Sequence, residues 1–154
     1  TFPNGCHIAE VEVEPETGEV EIVSYLACDD AGNIVNHQIV EGQMQGGITQ
    51  GAGHIFLEQA VYDDNGQLLT GSFMDYAVPR ASDVPPIEFH SFATICTTNP
   101  IGAKGCGESG AIGGPPCVTN GVMDALSELG IKQLNTPLTP AKIWQAIRDA
   151  KAAG

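Results

Sequence analysis

Between residues 8 and 13 apolar and acidic side chains alternate, with Ala9, Val11 and Val13 on one face and Glu10, Glu12 and Glu14 on the other. That is the period-two pattern of a half-buried strand. Pro15-Glu16-Thr17-Gly18 supplies a turn, and residues 20–27 return as a second strand, so the chain opens on an antiparallel hairpin. Asp29-Asp30-Ala31-Gly32-Asn33 breaks the pattern before a short apolar stretch at 34–40. Beyond it Ile48, Ala52, Ile55 and Phe56 recur at helical spacing, which predicts a helix over about 46–60. Gly46, Gly47, Gly51 and Gly53 fall inside that span, each about 1 kcal/mol worse than alanine in a helix interior. A helix that keeps them needs close approach by another backbone, by a ligand, or by both.

Asn65-Gly66 marks a second tight turn, and residues 79–86 form a loop. Ile87, Phe89, Ser91, Ala93 and Ile95 then alternate as a strand leading into a glycine-dense stretch, 101–117. After it Val118, Val122, Ala125, Leu126 and Leu129 lie on one stripe, predicting a helix over about 115–129. Pro115 suits its first turn and Gly130 its C-terminal cap. Thr139 and Pro140 open a last helix over about 140–153, with Ile143, Trp144 and Ile147 inward. Strands come early and helices late, so the fold class is α+β: antiparallel hairpins followed by three helices.

The chain of 154 residues is one domain or part of a larger one, and 42% hydrophobic content with 16% charged excludes a disordered tail. A formal charge of -13 argues against nucleic acid or an anionic membrane as partner. Nothing approaches a membrane span or a signal peptide. Five cysteines, odd in number and widely spaced, read as reduced thiols in a cytoplasmic protein. The chain opens at Thr1 in mid-pattern, as a segment of something longer would.

The chemistry gathers in Lys104-Gly105-Cys106-Gly107-Glu108. Gly105 to Gly110 satisfies a G-x-G-x-x-G expression, but no strand runs directly into it, and Glu108 would set a negative charge where a pyrophosphate should sit. Cys96, Cys106 and Cys117 match no zinc or iron–sulfur spacing, and His7, His37, His54 and His90 are scattered. Ser109 lacks the G-x-S-x-G frame of a hydrolase. Glu108 remains: a carboxylate among backbone and apolar groups is a candidate general base. On spacing, an ion pair between Glu108 and Lys104 is an equal reading.

Lys104-Gly105-Cys106-Gly107-Glu108 resembles the Lys-x-x-Gly-Glu loop of the xanthine oxidase family of molybdenum hydroxylases. Gly42-Gln43-x-x-Gly46-Gly47-x-x-Gln50-Gly51 is similar to a second block of that family. Gly71-Ser72-Phe73-Met74-Asp75-Tyr76-x-x-Pro79-Arg80 and Asn135-Thr136-Pro137-Leu138-Thr139-Pro140 look like two more. The blocks keep their order along the chain, with a tone closest to the large subunits of aerobic carbon monoxide dehydrogenases.

The resemblance implies a single C-terminal segment, residues 1–154, of a larger molybdenum cofactor-binding domain. It implies that Glu108 takes a proton from a molybdenum-bound hydroxyl, which attacks carbon monoxide, an aldehyde or an aromatic heterocycle. It places Lys104, Gly105, Cys106, Gly107 and Gln50 along the pterin cofactor, in its cytosine dinucleotide form, with no protein ligand to the metal. FAD and [2Fe-2S] clusters on partner subunits would carry electrons away, in a dimer of heterotrimers. The isolated segment is expected to be inactive and to bind no cofactor firmly. The glycine surfaces at 46–53 and 102–114 should be bare or filled by another copy. The rival reading is a scaffold domain whose glycine loops only pack against a missing partner.

Overall fold

The structure, a computed structural model, describes residues 1–153. Three strands form one sheet in the order β1 (Asn4–Val13), β2 (Val20–Asp30), β3 (Ile87–Ser91). The expected hairpin is present, with Asn4 opposite Asp30 and Val13 opposite Val20, and a bulge between Glu10 and Val11. Gly18 turns it at φ 76, a left-handed conformation that glycine adopts without a Cβ penalty. Asp29 and Asp30, expected to break the chain, instead extend β2. β3 pairs with β2 in parallel, Tyr25 beside Ile87 and Asp29 beside Ser91. It ends at Ser91 rather than 95, because Phe92 and Ile95 turn out to solvent.

Helix α1 runs His37–Phe56, nine residues earlier at its start than the spacing predicts and four shorter at its end. Asn36 sets the start by accepting a hydrogen bond from the Ile39 amide at 3.2 Å, as an N-cap should. Helix α2 runs Ser109–Ser127, not 115–129, and carries Pro115 and Pro116 inside it. Proline normally disrupts a helix interior. Here the Pro115 ring fills the space over Gly51, where an added Cβ would meet its Cδ at 2.6 Å. The second half of the glycine-dense stretch is therefore helix rather than loop. Helix α3, Pro140–Ala153, lies where expected, and Gly130 takes the predicted positive φ of 74.

Ile22, Tyr25 and Ala27 of β2 meet Ile48, Ala52 and Ile55 of α1, Val118, Val122 and Leu126 of α2, and Leu138, Ile143 and Ile147. Burying each of the larger side chains contributes roughly 1.5–3 kcal/mol. A smaller cluster of Ala31, Val40 and Met44 takes in Ile34, Phe89 and Cys106, so the glycine loop is seated on its own apolar patch. This is the expected mixed α+β class, with three helices and one hairpin in the sheet.

Candidate functional site

Helices α1 and α2 lie in direct backbone contact. A Cβ added to Gly110 would meet the Met44 carbonyl oxygen at 2.5 Å and the Ile48 amide nitrogen at 2.8 Å; one on Gly47 would meet the Ala111 nitrogen at 2.8 Å. Gly47 and Gly51 thus serve packing, which accounts for two of the helix glycines. Gly46 has no atom within 4 Å of an added Cβ. Gln50 is exposed one turn beyond Gly47, and Glu108 stands two residues before Gly110. The two residues singled out by sequence therefore flank the same helix–helix contact.

Glu108 precedes the first residue of α2 and makes no side-chain cap there. Its side chain is exposed, so the apolar surroundings expected around it do not come from these residues. Nor does it pair with Lys104. The Lys104 Nζ donates to Asp30 Oδ2 at 2.6 Å and to Thr94 Oγ1 at 2.6 Å. Asp30 also accepts from the Gly32 amide at 2.8 Å, the Thr94 amide at 3.1 Å and the Thr94 hydroxyl. Asp30 is buried and Lys104 half-buried. Lys104 and Thr94 hold the Asp30 carboxyl well below the usual carboxylate range.

The main chain around Lys104 is stitched to the end of β2. The Lys104 amide donates to the Ala31 carbonyl at 2.9 Å, the Asn33 amide to the Gly102 carbonyl at 2.9 Å, and Gly32 bridges Ala103. Cys106 turns its side chain inward. What the loop offers outward is backbone: an added Cβ on Gly107 meets nothing within 4 Å, and on Gly105 nothing nearer than 3.9 Å. The surface expected to be bare is bare at Gly46, Gly105 and Gly107, and sealed by the chain's own atoms at Gly47, Gly51, Gly53, Gly102, Gly110 and Gly113.

Beside the start of α2 lies a cavity of about 300 Å³ lined by His7, Asp29, Ser109, Ile112, Gly113 and Asn120, among others. His7 Nε2 sits 2.9 Å from Asp29 Oδ2, and its Nδ1 lies 2.8 Å from the Tyr25 hydroxyl. Burial, then the nearby Cys117, push the Tyr25 phenol up. Burial likewise pushes the Cys117 thiol up. The Ser109 hydroxyl is buried with no protein partner. Among the described residues no group of three His, Cys, Asp or Glu side chains is placed to hold a metal ion.

Bare backbone at Gly105 and Gly107, the N-terminus of α2 and an orphaned Ser109 hydroxyl fit a ligand that lies along main chain and is held by hydrogen bonds. The donor set suits an organic cofactor better than a naked ion. The description "Molybdopterin cofactor-binding domain" belongs to the family model that matches residues 1–85, more than half of the chain. The chain belongs to that family. The large subunit of nicotine 6-hydroxylase from Paenarthrobacter nicotinovorans is 42% identical to it over 147 residues, covering 96% of this chain and 18% of that protein. The carbon monoxide dehydrogenase large chain of Hydrogenophaga pseudoflava is 35% identical over 153 residues, covering 99% and 19%. Quinoline 2-oxidoreductase from Pseudomonas putida 86 superposes with a TM-score of 0.92 at 40% identity, over 96% of this chain and 19% of that one.

The chain thus spans about a fifth of the length of these molybdopterin-domain relatives. The reading of it as the C-terminal part of a large subunit is not carried by the family match. The family match falls on the N-terminal region of the chain, residues 1–85, and stops short of Lys104–Glu108. Among the described residues no helix is long and apolar enough to cross a membrane.

Asp30, Thr94, Asp29, His7 and Ser109 were not anticipated as site residues. A signal existed for the aspartates: two carboxylates closing an apolar strand are seldom buried without partners.

Proposed function

We propose that this chain contributes the base-bearing wall of a molybdenum hydroxylase site, with Glu108 as general base. The observation that supports it is the exposed, unpaired Glu108 carboxylate at the end of a bare glycine turn, beside the helix that carries Gln50. When bound, the molybdenum–pterin cofactor supplies the redox centre and acidifies the water that becomes the incoming oxygen. Gly105, Cys106 and Gly107 offer it main-chain groups, and Gln50 a side-chain amide. Lys104 takes part through its backbone carbonyl, since its ammonium and its amide are both engaged elsewhere. Glu108 accepts the proton at a carboxylate oxygen and passes it to solvent, to which it is open.

The higher identities to nicotine 6-hydroxylase and quinoline oxidoreductase than to carbon monoxide dehydrogenase favour an aromatic N-heterocycle as substrate over carbon monoxide or an aldehyde. The cytosine dinucleotide form of the cofactor, FAD and [2Fe-2S] clusters on partner subunits, and a cytoplasmic dimer of heterotrimers complete the proposal. The five cysteines, all free, accord with that compartment.

The test is Glu108→Gln in the full-length enzyme. Turnover should fall by about 10²–10⁴-fold, the usual contribution of a positioned base, while molybdenum content holds. Near-normal turnover would instead favour the scaffold reading.

A further inference from the structure

Three observations converge on the polar knot beside the glycine turn, in which Asp30 is buried, Lys104 half-buried and Thr94 exposed. First, two of the three Lys104 ammonium donors are spent inside the protein, on Asp30 and Thr94. Second, the main chain on either side of Lys104 is tied down: its own amide to Ala31, and the Gly105 amide to the Thr1 carbonyl at 3.0 Å. Third, from Gly105 to Glu108 the turn has few holds of its own. Cys106 rests on the Ala31–Val40–Met44 patch and the Ser109 amide reaches the Cys106 carbonyl at 3.4 Å, but Gly105 and Gly107 lie open. Beyond Glu108 the chain is fixed again, where Gly110 sits against the backbone of α1.

We infer that Asp30 and Thr94 are positioning residues for Glu108, acting through Lys104 to fix the near end of the turn that presents the carboxylate. The inference rests on the proposed role of Glu108. Its physical logic is that Lys104 stands four residues before Glu108 in the same turn, so holding its ammonium on Asp30 fixes where that turn begins. Asp30 therefore anchors the turn through the Lys104 ammonium. Thr94 accepts from the same ammonium and donates to the same carboxylate, closing the triangle.

Two variants of the full-length, cofactor-loaded enzyme test this anchoring. Asp30→Asn keeps the shape but releases the ammonium; Lys104→Met removes the cation and keeps the stem. In both, amide hydrogen exchange at residues 105–108 should quicken at least tenfold, with α1 and the core of α2 unchanged. In both, kcat should fall by about tenfold with little change in KM. The inference is overturned if exchange in the turn stays at the wild-type rate, or if both variants lower the melting temperature yet leave kcat in place. Glu108→Gln judges the base reading separately: were that variant fully active, the exchange result would still decide whether Asp30 and Lys104 fix the turn.

Discussion

Replacing Gly110 with alanine tests the central packing claim. A Cβ there would stand 2.5 Å from the Met44 carbonyl oxygen, 2.8 Å from the Ile48 nitrogen and 3.1 Å from the Gly47 carbonyl carbon. All three are backbone atoms of α1, so no side chain can rotate away. Restoring an ordinary separation of ~3.5 Å means parting the helices by about 1 Å. Overpacking of this kind costs about 1–3 kcal/mol. At the second residue of α2 the helix-propensity return is smaller than the ~1 kcal/mol available in an interior. For a chain of this size each kcal/mol moves Tm by about 2–4 °C, so Gly110→Ala should melt roughly 2–12 °C below wild type. Gly46→Ala is the matched control, since an added Cβ there has no atom within 4 Å. It should gain about 0.5–1 kcal/mol from propensity and a more restricted unfolded chain. Calorimetric or circular-dichroism melts of the two variants decide it. If both raise Tm, α1 and α2 are not in backbone contact and the shared wall on which Gln50 and Glu108 stand is wrong.

Other outcomes follow from the buried polar groups. The carboxyl of Asp30 is held below its unfolded value, so the stability it contributes is present above about pH 4 and drains away as the pH falls further. Acid titration of unfolding should therefore be shallower in Lys104→Met than in wild type, and parallel curves would contradict the pairing. Tyr25→Phe removes the hydroxyl 2.8 Å from His7 Nδ1 and leaves a buried ring nitrogen unpartnered. It should cost about 1–3 kcal/mol by urea unfolding, and an unshifted midpoint would argue that water replaces the phenol. The Thr98 hydroxyl, 3.1 Å from Cys96 Sγ, brings that thiol down to about 7. Thr98→Val should move its ultraviolet thiolate titration back toward the ordinary range near 8.5, and no movement would exclude that hydrogen bond as the cause.

Much of the architecture was legible because it rests on local periodicity. The alternation at Ala9, Val11 and Val13 located β1, and Pro140 with Ile143 and Ile147 located α3. Where the reading erred, tertiary contact overrode local propensity. The prolines of α2 look like a helix start, and become interior only because Pro115 occupies the space that Gly51 leaves. Likewise α1 begins at His37 despite Gly42 and Gly46, because Asn36 caps it and Met44 and Ile48 are buried. At the candidate site, the spacing of Lys104 and Glu108 suggested a pair, yet the true partner of Lys104 lies 74 residues away. No pattern within a short window carries that information. The single exposed carboxylate in a glycine turn, by contrast, was plain from composition.

That separation also orders how the molecule comes together. The hairpin closes across a handful of residues, and α1 needs only its own turn-by-turn contacts. Joining Asp30 to Lys104 means closing a far longer loop, whose entropic cost grows with its length and is recovered only once β3 has docked. A nascent chain would therefore emerge with a finished frame and an unfinished rim. The turn that ends at Glu108 would then be the last part of this frame to settle into place.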